Sequence, residues 1–148
     1  MDTQIELPPE MVPDSWKEVL SDVKTVWTEA VIAGGSLRDL TLGLRPKDID
    51  VFVNANRCSD GFLPNTWEFG KVFSADSRYE MAFREEVKTV AECMKRGFPY
   101  PVQVIELNVP EAYRGTLANF AMSRVDCDVC QIAYAGRRVA QSEASAHG

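Results

Sequence analysis

Histidine is almost missing from this chain: its 148 residues include a single one, His147, close to the C-terminus. We therefore do not expect histidine to act as a catalytic base or as a metal ligand. Long apolar runs are missing too, and no stretch approaches the length that a membrane-spanning helix needs. The acidic N-terminal segment lacks the features of a signal peptide. These absences predict a cytoplasmic protein that makes no contact with a membrane.

An excess of basic charge is also lacking. Sixteen Lys and Arg residues stand against 22 Asp and Glu residues, which gives a formal net charge of −6. Broad, sequence-independent binding of nucleic acid rests on basic surface, so we do not expect it here. A local basic patch is compatible with these numbers. Arg38, Arg45 and Lys47 could face a triphosphate or an RNA end, or could simply balance nearby carboxylates.

Cysteine is sparse, with four residues in the chain. Cys127 and Cys130 form a C-x-x-C pair, whereas Cys58 and Cys93 are isolated. In a strand, a separation of three residues places two side chains on opposite faces, which does not suit a zinc site. We expect reduced and mostly buried thiols, without disulfides.

The remaining composition, 45% hydrophobic and 26% charged, is typical of a globular protein. The length suits one domain with a proper core. We predict a compact α+β fold in which a mixed sheet is covered by helices on one face. Residues 1–13 should form an extended arm, and residues 136–148 a small, polar, frayed tail.

The most informative stretch begins with a short apolar strand at residues 31–33, which ends sharply at Gly34 and Gly35. Glycines lack Cβ, so another molecule can approach their backbone closely. Ser36 suits the N-cap of a short helix at residues 37–42. A helix start after a glycine turn is a natural seat for phosphate.

Asp48 and Asp50 lie in the strand that follows, and alternation places both on one side, about 7 Å apart at their Cα atoms. The apolar side chains between and after them should point into the core: Ile49, Val51 and Val53. Two carboxylates beside a phosphate-binding turn suit divalent cations. Alone, a Gly-Gly pair is usually just a turn, and an Asp-x-Asp is usually a solvated strand edge. The combination favours a functional site.

The two segments GGSLRD and LGLRPKDIDVFV, within residues 30–53, resemble the signature of the DNA-polymerase-beta-type nucleotidyltransferases. The resemblance is strongest to the head domain of bacterial poly(A) polymerases and CCA-adding enzymes, and to small stand-alone nucleotidyltransferases of bacteriophages. It implies that Gly34, Gly35 and Ser36 hold the nucleoside triphosphate. It also implies that Asp48 and Asp50 bind magnesium. Outside this stretch the resemblance is loose.

Two residues compete as a third carboxylate. Glu106 ends the apolar face of a strand at residues 102–107, where a charge needs a partner such as a metal, although a charge at the wet end of a strand is equally compatible. Asp126 lies in a final strand-like segment that loosely resembles the Arg-Arg-Asp motif of the same family. That resemblance places Arg124 and Asp126 beside the nucleotide. Arg38 and Lys47 are also candidate nucleotide ligands, because they flank the glycine turn and the aspartates.

Three further elements follow from periodicity. Apolar residues at helical spacing predict a helix from residue 14 or 15 to about residue 28. A second helix is expected from Pro110 to about Met122. The stretch 84–94 can be read as helix or strand, and we choose strand. No pattern resolves residues 66–83.

Together these features predict transfer of a nucleoside monophosphate from a nucleoside triphosphate to an acceptor hydroxyl, with release of pyrophosphate. Two Mg²⁺ or Mn²⁺ ions would be held by Asp48, Asp50 and Glu106. The acceptor is open: an RNA end, a protein or a small molecule. The alternative is an inactive module of the same fold that binds a nucleotide or a partner protein in a regulatory or phage–host interaction.

Overall fold

The computed structural model describes residues 5–73, 85–124 and 132–136. The strands form one sheet of seven. They are β1 (Ile5–Glu6), β2 (Ala30–Ala33), β3 (Ile49–Asn54), β4 (Trp67–Phe73), β5 (Val87–Lys95), β6 (Val102–Leu107) and β7 (Ile132–Tyr134). The α-helices are α1 (Asp14–Lys24), α2 (Gly35–Thr41) and α3 (Leu117–Arg124), and a 3-10 turn spans Pro9–Met11.

The sheet is mixed, with the strand order β1-β7-β2-β3-β6-β5-β4. β3 lies near its centre, antiparallel to β2 and parallel to β6. β5 pairs antiparallel with both β6 and β4. The predicted α+β class with a mixed sheet is confirmed, and the strand chosen for residues 84–94 corresponds to β5.

Helix α1 covers one face of the sheet, which we call the α1 face. Its buried residues follow the predicted helical spacing: Trp16, Val19, Leu20 and Val23. They pack in one cluster with the alternate strand residues Ile32, Ile49, Val51, Val53, Val102 and Val104. Burying such side chains stabilises the fold by about 1.5–3 kcal/mol each. The inward direction predicted for the residues that alternate with the aspartates is therefore confirmed.

Helix α3 covers part of the opposite face, which we call the α3 face. Its buried Phe120 and Ala121 pack with Val31, Phe52 and Ile105. The prediction that helices cover only one face is wrong, because α3 lies on the same face as Asp50. Two apolar faces on one central sheet each require a covering layer, so one helical layer could not bury both.

Several predicted bounds need correction. Helix α1 ends at Lys24, where Thr25 caps it by donating its hydroxyl to the Asp22 carbonyl. Helix α3 begins at Leu117 rather than at Pro110. The expected N-terminal arm instead enters the sheet, since β1 pairs in parallel with β7. Across the described segments, no helix is long and apolar enough to cross a membrane.

Candidate functional site

The glycine turn has the backbone that the sequence suggests. Gly34 has φ of 94°, a conformation that residues with a Cβ rarely adopt. Gly35 is free of that restriction, and a Cβ built on it would lie 3.5 Å from Nη2 of Arg38. The Arg38 guanidinium therefore lies over the turn, where it also contacts Asp39 Oδ1 at 3.2 Å. The Arg38 cation therefore lies beside glycine backbone that carries no side chain.

The pairing of β2 with β3 brings this turn to the aspartates. Ile32 lies opposite Val51, and continuing the antiparallel register by one residue sets Ala33 beside Asp50. The turn that follows β2 thus lies at the end of β3 where Asp48 and Asp50 stand. Two segments that the sequence separates by a helix and a loop meet at one end of the sheet.

The strand register also identifies two site residues that the sequence analysis missed. Asp50 pairs with Gln103 on β6, and Gln103 pairs with Glu92 on β5. Paired residues share a face, so the three side chains form a row across the α3 face. Gly70 on β4 lies next to Glu92, since a Cβ there would lie 3.1 Å from the Glu92 carbonyl oxygen. Only strand pairing could have revealed the row, because no local motif marks Glu92 or Gln103.

The pKa of Asp48 is affected by a charge in this row. Its pKa is raised above its ordinary value of 3.8, first by burial and then by the negative charge of Glu92, while the adjacent Lys47 opposes the shift. Burial and a like charge both disfavour the ionised carboxylate. A bound cation would relieve both effects. The neighbouring Gln103 is 6% exposed and adds a buried amide between Asp50 and Glu92.

Ser36 is a second unusual polar group at this end of the sheet. Its side chain is 7% exposed, and its Oγ has no hydrogen-bond partner among the residues that the structure describes. It does not cap α2, whose N-cap is Gly34. A buried hydroxyl without a partner lowers stability, typically by about 1–3 kcal/mol. An unused buried donor beside a glycine turn suits a ligand that supplies an acceptor.

Glu106, which we expected in this site, lies elsewhere. It pairs with Val53, so it stands on the α1 face, opposite to the face of Asp50. Its carboxylate accepts hydrogen bonds from Trp27 Nε1 at 3.0 Å and Thr89 Oγ1 at 2.7 Å. The charge at the end of an apolar strand face does have partners, but they are an indole and a hydroxyl. The structure does not bring Glu106 together with Asp48 and Asp50.

The other predicted residues lie as follows. Lys47 is exposed beside Asp48, and its charge reaches that carboxylate. Arg45 lies over the ring of Tyr100, 5.8 Å from its centroid. Arg124 is the last residue of α3. Asp126, the C-x-x-C pair, His147 and the proposed tail beyond Gly136 lie outside the described residues.

The donor set is compatible with a divalent cation bound together with a substrate. In the part of the chain that the structure describes, no group of three or more His, Cys, Asp or Glu side chains is arranged to hold a metal by itself. Magnesium, however, is commonly held by one or two carboxylates plus substrate phosphates. Asp48 and Asp50 are two carboxylates, and the glycine turn lies at the same end of the sheet.

A cavity of about 700 Å³ lies at the other end of β3. It is lined by Asn54 at the end of β3 and by Thr116 and Leu117 at the start of α3. Asn54 is already hydrogen-bonded there, donating to Glu29 and accepting from the backbone of Asn56. This cavity and the aspartates thus occupy opposite ends of the same strand, so the cavity does not mark the candidate site.

Comparisons were made with protein-family models, with curated proteins and with solved structures. None of the three found a match for this chain. The arguments for function therefore rest on the residues and on their arrangement.

Proposed function

We propose that this protein is a metal-dependent nucleotidyltransferase with a polymerase-beta-like fold. The observation that supports it most directly is the strand pairing that sets the Gly34-Gly35-Ser36 turn beside Asp48 and Asp50. Neither motif is specific alone, but the fold joins them at one end of the central strand. A triphosphate on the turn would extend directly toward the two carboxylates.

The donor would be a nucleoside triphosphate held at the turn. Gly35 leaves its approach open, Arg38 supplies a cation and Ser36 supplies an unused hydroxyl donor. Asp48 and Asp50 would hold Mg²⁺ or Mn²⁺, which neutralises charge on the triphosphate when bound. Glu92 lies in the same row and replaces Glu106 as the candidate third carboxylate, although it would have to move toward the metal, because the described residues hold no preformed cluster of three acids.

The reaction would be attack of an acceptor hydroxyl on the α-phosphorus, with departure of pyrophosphate. Such transfers depend mostly on positioning and on stabilisation of negative charge. The residues named above can supply both without a histidine or cysteine nucleophile. The net charge of −6 favours an acceptor other than a long nucleic acid bound along its backbone.

The experiment is incubation of the full chain with each α-labelled nucleoside triphosphate, Mg²⁺ or Mn²⁺, and separate RNA, protein and small-molecule fractions of a cell extract. We expect label in one fraction and pyrophosphate in solution. Asp50→Asn should abolish both, whereas Glu106→Gln is the matched control that removes a carboxylate from the other face. A folded wild-type protein that labels no fraction would contradict the proposal.

A second candidate function is binding of a nucleotide without turnover. Gln103 favours it, because a neutral amide adjoins Asp50 where a further carboxylate would strengthen metal binding. Calorimetry separates the two candidates. Metal-dependent binding of a triphosphate without label transfer would support the binding module, whereas binding with transfer would support the enzyme.

A further inference from the structure

Strand β4 forms one edge of the sheet within the described part of the chain. It spans seven residues, Trp67–Phe73, whereas β1 at the other edge has two. The backbone N–H and C=O groups along a long edge strand are a template for pairing with another chain. The two edges therefore differ in the length of backbone that they offer.

The side chains along β4 are unusually apolar for an edge. Phe69 is 57% exposed and Val72 is 63% exposed. Both stand on the α1 face, because they pair with Cys93 and Ala91, which lie two residues apart on β5. Phe62, 87% exposed, lies nearby in an apolar groove of about 340 Å³. The groove is lined by Trp27, Phe62, Leu63, Pro64, Trp67 and Phe69.

We propose that two copies of this chain associate through β4, paired antiparallel about a twofold axis between Gly70 and Lys71. This register sets Phe69 of each copy opposite Val72 of the other, so the two exposed apolar pairs bury each other. It also brings Val72 of the second copy to the rim of the apolar groove. The two sheets become one continuous sheet, and the long edge disappears.

The opposite side of the strand is complementary in charge. Glu68 pairs with Met94 and stands on the α3 face, and alternation from Val72 places Lys71 there as well. In the proposed register, Lys71 lies diagonally across from Glu68 of the second copy, within reach of long side chains. The twofold axis produces this ion pair twice. The pairing of β4 with β5 shifts between Phe69 and Val72, so this irregularity falls at the axis, where Gly70 carries no side chain.

The test is the molar mass of the full chain by sedimentation or light scattering across a concentration series. Wild type should approach twice the 16.5 kDa of one chain. Glu68→Lys and Lys71→Glu should each weaken the dimer at least about tenfold, because each places like charges across the interface. A mixture of the two variants should restore dimers, since every Lys again faces a Glu. Glu10→Lys, an exposed charge change away from β4, is the matched control.

Phe69→Asp should give a monomer that retains its melting temperature, because Phe69 is exposed in the single chain. A wild type that stays at 16.5 kDa throughout the series would overturn the proposal. So would a dimer that survives both charge reversals and Phe69→Asp, since it must use another surface. Failure of the mixed variants to associate would exclude the proposed register.

Discussion

Asp50 and Glu106 are both strand carboxylates next to the core, yet their surroundings differ. Glu106 stands on the α1 face and accepts hydrogen bonds from Trp27 and Thr89. Asp50 stands on the other face, in a row that contains Glu92, whose charge disfavours ionisation of Asp48. Glu106 is satisfied by neutral donors, whereas Asp50 belongs to a row in which the charge of Glu92 helps to raise the pKa of Asp48.

The difference separates an acid that stabilises the fold from an acid that we propose to be functional. A partly buried carboxylate with two donors stabilises the native state, and its removal should lower stability. Because burial and the charge of Glu92 raise the pKa of Asp48, its ionised form lowers stability unless a cation binds, and its removal should lower activity. For Glu106 we therefore expect mainly a loss of stability, and for the aspartates mainly a loss of activity. Mutants can test both expectations.

The largest effect is expected at Asp50. Asp50→Asn removes a hard anionic ligand, so we expect label transfer to fall by more than the roughly 10–100-fold typical of residues that only support metal ligands. Glu106→Gln should retain activity within a few-fold. Initial rates at saturating triphosphate measure both. Equal losses of label transfer in Asp50→Asn and Glu106→Gln would contradict the distinction between the α3 face and the α1 face.

Glu92→Gln should have an intermediate effect on activity, about 10-fold or more if Glu92 acts as the third carboxylate. The dependence of the rate on Mg²⁺ concentration is the sharper measurement, because a lost ligand shifts the half-saturating concentration upward. Glu10→Gln, which removes an exposed carboxylate away from this row and from β4, is the control. An unchanged Mg²⁺ dependence in Glu92→Gln would leave the site with two carboxylates.

Glu106→Leu should destabilise the fold by about 1–3 kcal/mol, because the Trp27 indole and the Thr89 hydroxyl lose their acceptor. Urea denaturation measures the free energy of unfolding. Glu106→Gln, which keeps an acceptor oxygen, should lose less stability. A Glu106→Leu protein as stable as wild type would mean that these hydrogen bonds contribute little.

Asp48→Asn should stabilise the metal-free protein near neutral pH. Because the pKa of Asp48 in the native state is raised above its ordinary value of 3.8, the native protein holds this proton more tightly than the unfolded chain does. This proton binding contributes fully to the free energy of unfolding below pH 3.8, and the contribution is lost as the pH rises through the native pKa. The gain in melting temperature from Asp48→Asn should therefore be present at pH 7 and shrink toward pH 4. Mg²⁺ with a triphosphate should raise the melting temperature of wild type and have less effect on the variant. A gain that does not change with pH would contradict this account.

The smallest effect on stability is expected at Ser36. Ser36→Ala should leave the fold unchanged or stabilise it by up to about 1 kcal/mol, since the buried Oγ has no described partner to lose. Triphosphate affinity, measured by calorimetry, should fall severalfold. Gly35→Val, which blocks the approach to the turn, should reduce affinity further in a folded protein. Unchanged affinity in both variants would remove the turn from the phosphate site.

Local chemistry allowed much of this fold to be predicted. The alternation of Ile49, Val51 and Val53 determined which side of β3 enters the core, and the glycines after β2 determined where that strand ends. The spacing from Trp16 to Val23 determined the buried stripe of α1. These features depend on neighbours within one or two turns or strand repeats, which the sequence displays directly.

Tertiary structure alone decided which acids share a face. Glu106 follows Gln103 by three residues, and alternation turns the two side chains to opposite sides of β6. Without the register of β6 against β3, nothing in the sequence indicates which of the two faces Asp50. The place of Glu92 depends on a further register, between β5 and β6. Strand register is set by packing and pairing across the whole sheet, so short-range patterns could identify the aspartates but not their neighbours.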